Sequence, residues 1–161
     1  MTTAPIELKE GQKAPDFTAT TDKGTTISLK DFKGKKHVVL YFYPKDDTPG
    51  CTKEACNFRD HIAKINKADA VILGVSRDSA SSHRKFKDKY ELPFTLLADE
   101  DESICKTYGT LKMKSMYGKS YLGVARMTFV IGKDGLIKKI FPNVNPAEHT
   151  EEVLTVLKEI K

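Results

Sequence analysis

The sequence is short of several features that would assign it quickly. No apolar run approaches the ~20 residues a bilayer-spanning helix needs, which excludes an integral helical membrane protein. The opening stretch, MTTAPIELKEGQKAPDF, has neither the apolar core of a secretion signal nor the Arg-rich helix of a transit peptide. The expected location is therefore cytoplasmic. There is no internal repeat, low-complexity tract or long linker. The 161 residues read as one domain, 1–161, with enough chain to bury a real core. Cysteine is scarce, at three residues: Cys51, Cys56 and Cys105. Cys51 and Cys56 have no second Cys/His pair to complete a tetrahedral zinc set, and they are not spaced as Cys-x-x-Cys. In a reducing compartment, two close thiols suit redox chemistry better than a structural crosslink.

Charge is unbalanced but not concentrated. Lys and Arg number 27 against 22 Asp and Glu, a net charge of +5. The densest pieces, KGKK at 33–36 and KMK at 112–114, are short and have no interleaved aromatics. A solvated lysine-rich surface accounts for them better than a nucleic-acid site does.

What is present is an alternation of strand and helix patterns. HVVLYFY (37–43) and AVILGVS (70–76) are β-prone and apolar throughout, as strands covered on both faces are. Between them, TPGCTKEACNFRDHIAKINK (48–67) carries Phe58, Ile62 and Ile65 at i, i+4, i+7, the stripe of a helix packed on a sheet. Helices are expected over 79–92 and 102–109, and a short strand over 94–99. Two more strands, 126–132 and 136–141, flank Lys133-Asp134-Gly135, a hairpin signal. A last helix is expected with Asn145 as cap and Pro146 at its first position. Asp22-Lys23-Gly24 marks an N-terminal hairpin. Lys112–Gly123, rich in Met, Tyr and Gly, reads as a mobile flap or a long surface loop. A right-handed crossover makes the first two core strands parallel. The later hairpin adds an antiparallel pair, so the expected fold is α/β, a central mixed sheet flanked by helices with an N-terminal β-hairpin extension.

Cys51 is placed for chemistry. Pro49 suits the first helical position, with Thr48 as its cap, so Cys51 falls in the first helical turn. Free N–H groups and the helix dipole there favour an anion, and a thiolate is one. Gly50 leaves room for a ligand to approach. Cys56 lies five residues on. In a regular helix that separation puts the two Cα atoms ~8.6 Å apart, whereas a disulfide needs less than about 7 Å. The pair cannot bond until at least one turn unwinds. Cys105, beside Ile104 and Tyr108, reads as a buried structural cysteine. The four histidines share no motif.

The segment Pro44-x-x-x-Thr48-x-x-Cys51 resembles the peroxiredoxin active-site motif, and a second cysteine five positions on resembles the bacterioferritin comigratory protein, or Q-type, subfamily. The similarity extends over GQKAPDF (11–17), LLADED (96–101) and RMTFVIGKDG (126–135). It implies a thioredoxin-like fold and an antioxidant peroxidase acting on hydrogen peroxide and organic hydroperoxides, with no metal and no cofactor. By position it implies Cys51 as the peroxidatic thiolate and Cys56 as the resolving thiol, with thioredoxin or a similar dithiol as reductant. It implies Thr48 bonding the peroxide and the sulfur, Pro44 shielding the site, Arg126 stabilising charge on sulfur and oxygen, and Glu54 orienting Arg126. A monomer is expected, with no nucleic-acid or membrane partner.

Two other readings compete. Thr48-Pro49-Gly50-Cys51 has the spacing of a thioredoxin-type dithiol, but Thr48 replaces the first cysteine and no proline leads the strand at Arg126. A non-enzymatic binding protein on the same fold is the second.

Overall fold

The computed structural model describes residues 8–160. Residues 1–7, part of the stretch that bears on a leader, lie outside that range. The organising element is β3 (His37–Phe42), after β1 (Thr18–Thr21) and β2 (Thr26–Ser28). Every residue of β3 is buried. Its alternation explains why: Val38, Leu40 and Phe42 enter one apolar cluster, while Val39 and Tyr41 enter the other on the opposite face. A strand apolar on both sides has to sit mid-sheet. It does, in the order β2-β1-β5-β4-β3-β8-β9, where β4 is Ala70–Ser76, β5 Thr95–Ala98, β8 Met127–Ile131 and β9 Ile137–Phe141.

The expected mixed sheet is present. β3 runs parallel to β4, and β4 to β5, while β8 is antiparallel to β3. The N-terminal hairpin extends the sheet through β1, which pairs antiparallel with β5. Helices α1 (Pro49–Asp60), α2 (Ile62–Lys67), α3 (Ala80–Tyr90) and α5 (His149–Glu159) contribute Phe58, Ile65, Phe86 and Val153 to the cluster on one face. α4 (Ser103–Thr107) adds Ile104 and Cys105 to the other. Among the described residues, no helix is long and apolar enough to cross a membrane.

Three expectations are corrected. The single helix over 48–67 is broken at His61, whose φ of −113° and ψ of 13° leave helical geometry; its Nδ1 lies 2.8 Å from the Asn57 carbonyl. The last helix begins at His149 rather than Pro146. Asn145 caps only a preceding turn, its Oδ1 accepting from the Ala147 N–H at 3.0 Å. Lys112–Gly123 is no loop. It forms most of a hairpin of β6 (Leu111–Met116) and β7 (Lys119–Val124), closed by Tyr117 and Gly118 at φ of 53° and 76°. Two successive left-handed residues are what a tight two-residue hairpin turn requires.

Gly74, in the middle of β4, has no room for a side chain. A Cβ there would lie 2.9 Å from both Leu96 Cδ2 and the Tyr41 ring. Gly74→Val is expected to destabilise the fold by roughly 1–3 kcal/mol or more through overpacking, read as a lower urea midpoint.

Candidate active site

The register of the sheet assembles the site. Phe42, the last residue of β3, pairs with Met127, the first of antiparallel β8. The carboxyl end of β3, which leads through the Tyr43–Thr48 loop into α1, therefore lies beside the residue that enters β8, Arg126. Its guanidinium reaches both buried polar groups of the first turns of α1. Nη2 donates to Cys51 Sγ at 3.4 Å, and Nη1 donates to Glu54 Oε1 at 3.0 Å. Cys51 and Glu54 are three apart and share the inward face of the helix; both are buried, Glu54 to 1% exposure. Gly50 accommodates this approach, since a Cβ there would lie 3.0 Å from Arg126 Nη2.

The electrostatics follow from burial. Burial pushes the Glu54 carboxyl up to about 7, against the pull of the Arg126 charge and hydrogen bond. Glu54 Oε2 is buried without a hydrogen-bond partner, as suits a carboxyl holding its proton near neutral pH. For Arg126, burial works against the charge, but Cys51 and Glu54 more than offset it, and its pKa is raised. One guanidinium thus serves two acidic groups.

The other expected residues are placed as follows. Thr48 occupies the cap position of α1 at φ −97° and ψ 155°, but its hydroxyl donates to the Lys45 carbonyl at 2.9 Å and does not cap the helix. Pro44 is half-buried in the same loop. Cys56 is half-buried on the intact α1, and Cys51, Cys56 and Cys105 are all free. Cys105 is not brought to the site. It belongs to the apolar cluster on the other face of the sheet, and burial, assisted by Asp99, pushes its thiol far up.

Residues 10–140 match the AhpC/TSA family. The chain is a peroxiredoxin. It is 48% identical to peroxiredoxin Bcp of Bacillus subtilis over 155 residues, 96% of this chain and 98% of that one. It is 41% identical to peroxiredoxin Bcp of Escherichia coli over 152 residues, 94% and 97% of the two chains. Among solved structures, a PrxQ mutant of Xylella fastidiosa superposes with a TM-score of 0.90 at 34% identity, covering 96% of this chain and 98% of that one. The bacterioferritin comigratory protein of Xanthomonas campestris, studied for its alkyl peroxide reduction activity, gives 0.84 at 40% identity over 89% and 90%. The peroxiredoxin is thus an oxidoreductase of the peroxidase type, of the Bcp/Q group and with the thioredoxin-like fold.

Two features of this peroxiredoxin's site had no signal in the sequence. Lys114, part of the scattered lysine excess, folds back from β6. Its Nζ donates to the Val124 carbonyl at 2.7 Å, and it lines a cleft of about 370 Å³ with Ala125, Arg126, Asn143 and Val144. Gly123 makes the space, since a Cβ there would lie 2.9 Å from Lys114 Cδ. Burial and then the Arg126 charge lower the Lys114 pKa. The second feature is a polar cluster in which buried Asp46 of the Tyr43–Thr48 loop meets half-buried Asp78 and buried His83. Isolated histidines and loop aspartates have no diagnostic spacing, so only the fold reveals them.

Proposed function

We propose that this single-domain peroxiredoxin reduces hydrogen peroxide and organic hydroperoxides through Cys51, with Cys56 as the resolving thiol and thioredoxin or a similar dithiol as reductant. The observation that carries the reading is the Arg126 guanidinium spanning Cys51 Sγ and Glu54. The alkyl peroxide activity of the Xanthomonas campestris relative supports the organic substrates.

The chemistry follows from the groups present. The Cys51 thiolate attacks one peroxide oxygen and the O–O bond breaks. The sulfur becomes a sulfenic acid, and the departing hydroxide or alkoxide takes up a proton to leave as water or alcohol. Arg126 donors stabilise first the thiolate and then the charge growing on the departing oxygen. Thr48 would turn its hydroxyl from Lys45 toward the peroxide, and Pro44 would keep water away. The Cys56 thiolate then attacks Cys51 sulfur and expels hydroxide, which leaves as water; the external dithiol reduces the resulting disulfide. Only side chains of this chain and the dithiol take part. A cytoplasmic monomer is the proposed working form.

The helix sets the order of events. With α1 intact, Cys51 and Cys56 are ~8.6 Å apart at Cα and cannot bond, so Cys51 stays free for peroxide. Cys105, buried on the other face with its thiol pushed up, is a poor resolving nucleophile. Mass mapping after one equivalent of peroxide is expected to show a Cys51–Cys56 disulfide, with faster amide exchange over residues 50–56. A Cys51–Cys105 bond, or an oxidised protein with the helix intact, would contradict the scheme. Cys56→Ser is expected to accumulate sulfenic acid and to lose at least ~10-fold in steady-state turnover with thioredoxin. Normal cycling by that variant would assign resolution to another thiol.

A further inference from the structure

The loop carrying Pro44 and Thr48 contains one buried charged residue, Asp46, at 7% exposure. A buried carboxylate needs partners, and Asp46 draws them from the start of its own loop and from α3. The Tyr43 hydroxyl, just past β3, donates to Oδ1 at 2.6 Å. From α3, the Ser82 hydroxyl donates to Oδ2 at 2.8 Å, and His83 Nδ1 lies 2.6 Å from the same oxygen. His83 is fully buried, and its other nitrogen, Nε2, lies 2.8 Å from the Leu97 carbonyl of β5. A carbonyl only accepts, and so does an ionised carboxylate. Against an ionised Asp46 both ring nitrogens donate, the arrangement of an imidazolium. The groups facing it agree. Burial works against its charge, but Asp46, the Leu97 carbonyl and Asp78 more than reverse this and raise its pKa. Tyr43, the remaining titratable neighbour, is held protonated by burial.

Further bonds tie the loop to the end of β4 and again to α3. The Asp46 N–H donates to Asp78 Oδ2 at 2.8 Å, which also accepts from the Ser76 hydroxyl at 2.6 Å. Asp47, in the left-handed region at φ 57°, accepts from Lys89 Nζ and the Tyr90 hydroxyl of α3, each at 2.8 Å.

We propose that the buried His83–Asp46 ion pair is a positioning device that clamps the Pro44–Thr48 loop to α3 and β5 and sets the boundary where unwinding of α1 stops. The inference rests on Cys51 and Cys56 being the reacting thiols. Their bonding requires the first turns of α1 to melt, and the loop is continuous with those turns. A soft anchor would let melting run into the loop and carry off Pro44 and Thr48. A buried ion pair does not yield gradually, because releasing either partner strands the other charge in an apolar surround. The loop then keeps its place through the cycle, and each reduction returns α1 to a preformed start.

Three measurements test this. In the wild-type protein, ¹⁵N NMR of the His83 ring at pH 7 is expected to show both nitrogens protonated; a neutral ring overturns the clamp. Hydrogen exchange of the oxidised wild-type protein is expected to leave the Asp46 amide, bonded to Asp78, protected while 50–56 open; equal opening of both also overturns it. Asp46→Asn is expected to slow oxidation of Cys51 by peroxide roughly 10- to 100-fold through misplacement of the loop, with α1 retained by circular dichroism. A folded Asp46→Asn protein oxidising at the wild-type rate rejects the clamp. Cys51→Ser in the same assay isolates the underlying reading: if that variant still consumes peroxide, the assignment of Cys51 fails, whatever Asp46 does. Should Asp46→Asn fail to fold, the two wild-type measurements decide.

Discussion

Cys51→Ser is expected to abolish thiol-dependent peroxide consumption, with a loss of at least ~10³-fold. The substitution is nearly isosteric in a site where Cys51 is 2% exposed, so helix and core should persist, and a serine hydroxyl can take up the Arg126 donor. What vanishes is the proposed nucleophile. A hydroxyl is negligibly ionised at neutral pH even beside a guanidinium, and oxygen is a poor attacker of the O–O bond. Cys105 cannot substitute, because it sits behind the sheet with its thiol pushed far up. The check is NADPH oxidation coupled through thioredoxin reductase and thioredoxin, with circular dichroism to confirm the fold. An unchanged rate would remove Cys51 from the reaction and this account with it.

Arg126→Met is expected to cost roughly 10²–10³ in the rate of Cys51 oxidation, as loss of a preorganised donor at a developing charge typically does. The methionine fills much of the space but donates nothing. Two acidic groups then lose their shared counter-charge. Glu54, already raised to about 7 by burial, loses the guanidinium that restrains it, so it rises further and stays protonated. Its protonation limits the damage to stability; Cys51 has no such escape, because its proposed role requires the anion. Alkylation of Cys51 at pH 7 should slow in parallel. Arg126→Lys should fall between, since a single ammonium keeps the charge but cannot span both Sγ and Oε1. A wild-type rate in Arg126→Met would show that the contact to Cys51 has no part in the chemistry.

The same carboxyl predicts a pH dependence of stability. Glu54 titrates about 7 in the folded protein against an ordinary value of 4.5. Between those values the unfolded chain ionises Glu54 while the folded protein keeps it neutral. Its contribution to stability is therefore fully present below 4.5, falls as pH rises, and is gone above about 7. Glu54→Gln should flatten that slope, seen as a smaller difference between urea midpoints at pH 5 and pH 7.5. An unchanged slope would place the titration elsewhere.

Most of the fold was legible because it is written in local pattern. Strands buried on both faces are apolar at every position, as His37–Phe42 and Ala70–Ser76 nearly are. Pro49 after Thr48 marks the start of α1 whatever surrounds it. The misreadings lie where a non-local term outweighs pattern. His61 interrupts an unbroken apolar stripe by leaving helical geometry. Lys112–Gly123 pairs with itself into a hairpin although Met113, Tyr121 and Leu122 are left exposed, so no buried face imprints a period on it.

The sequence alone determined that a cysteine stands in the first turn of a helix following a central strand, and that Cys56 cannot reach it while that helix is folded. Both follow from spacing and helix geometry. Only the tertiary structure decided what surrounds the sulfur. Arg126 is 75 residues from Cys51 and meets it because antiparallel β8 registers Met127 against Phe42. Asp46 and His83, 37 residues apart, become an ion pair only when α3 packs over the end of β3. Distance along the chain hides such pairs, since each member satisfies its local pattern equally well without the other; their burial together, which makes the charges matter, exists only in the fold.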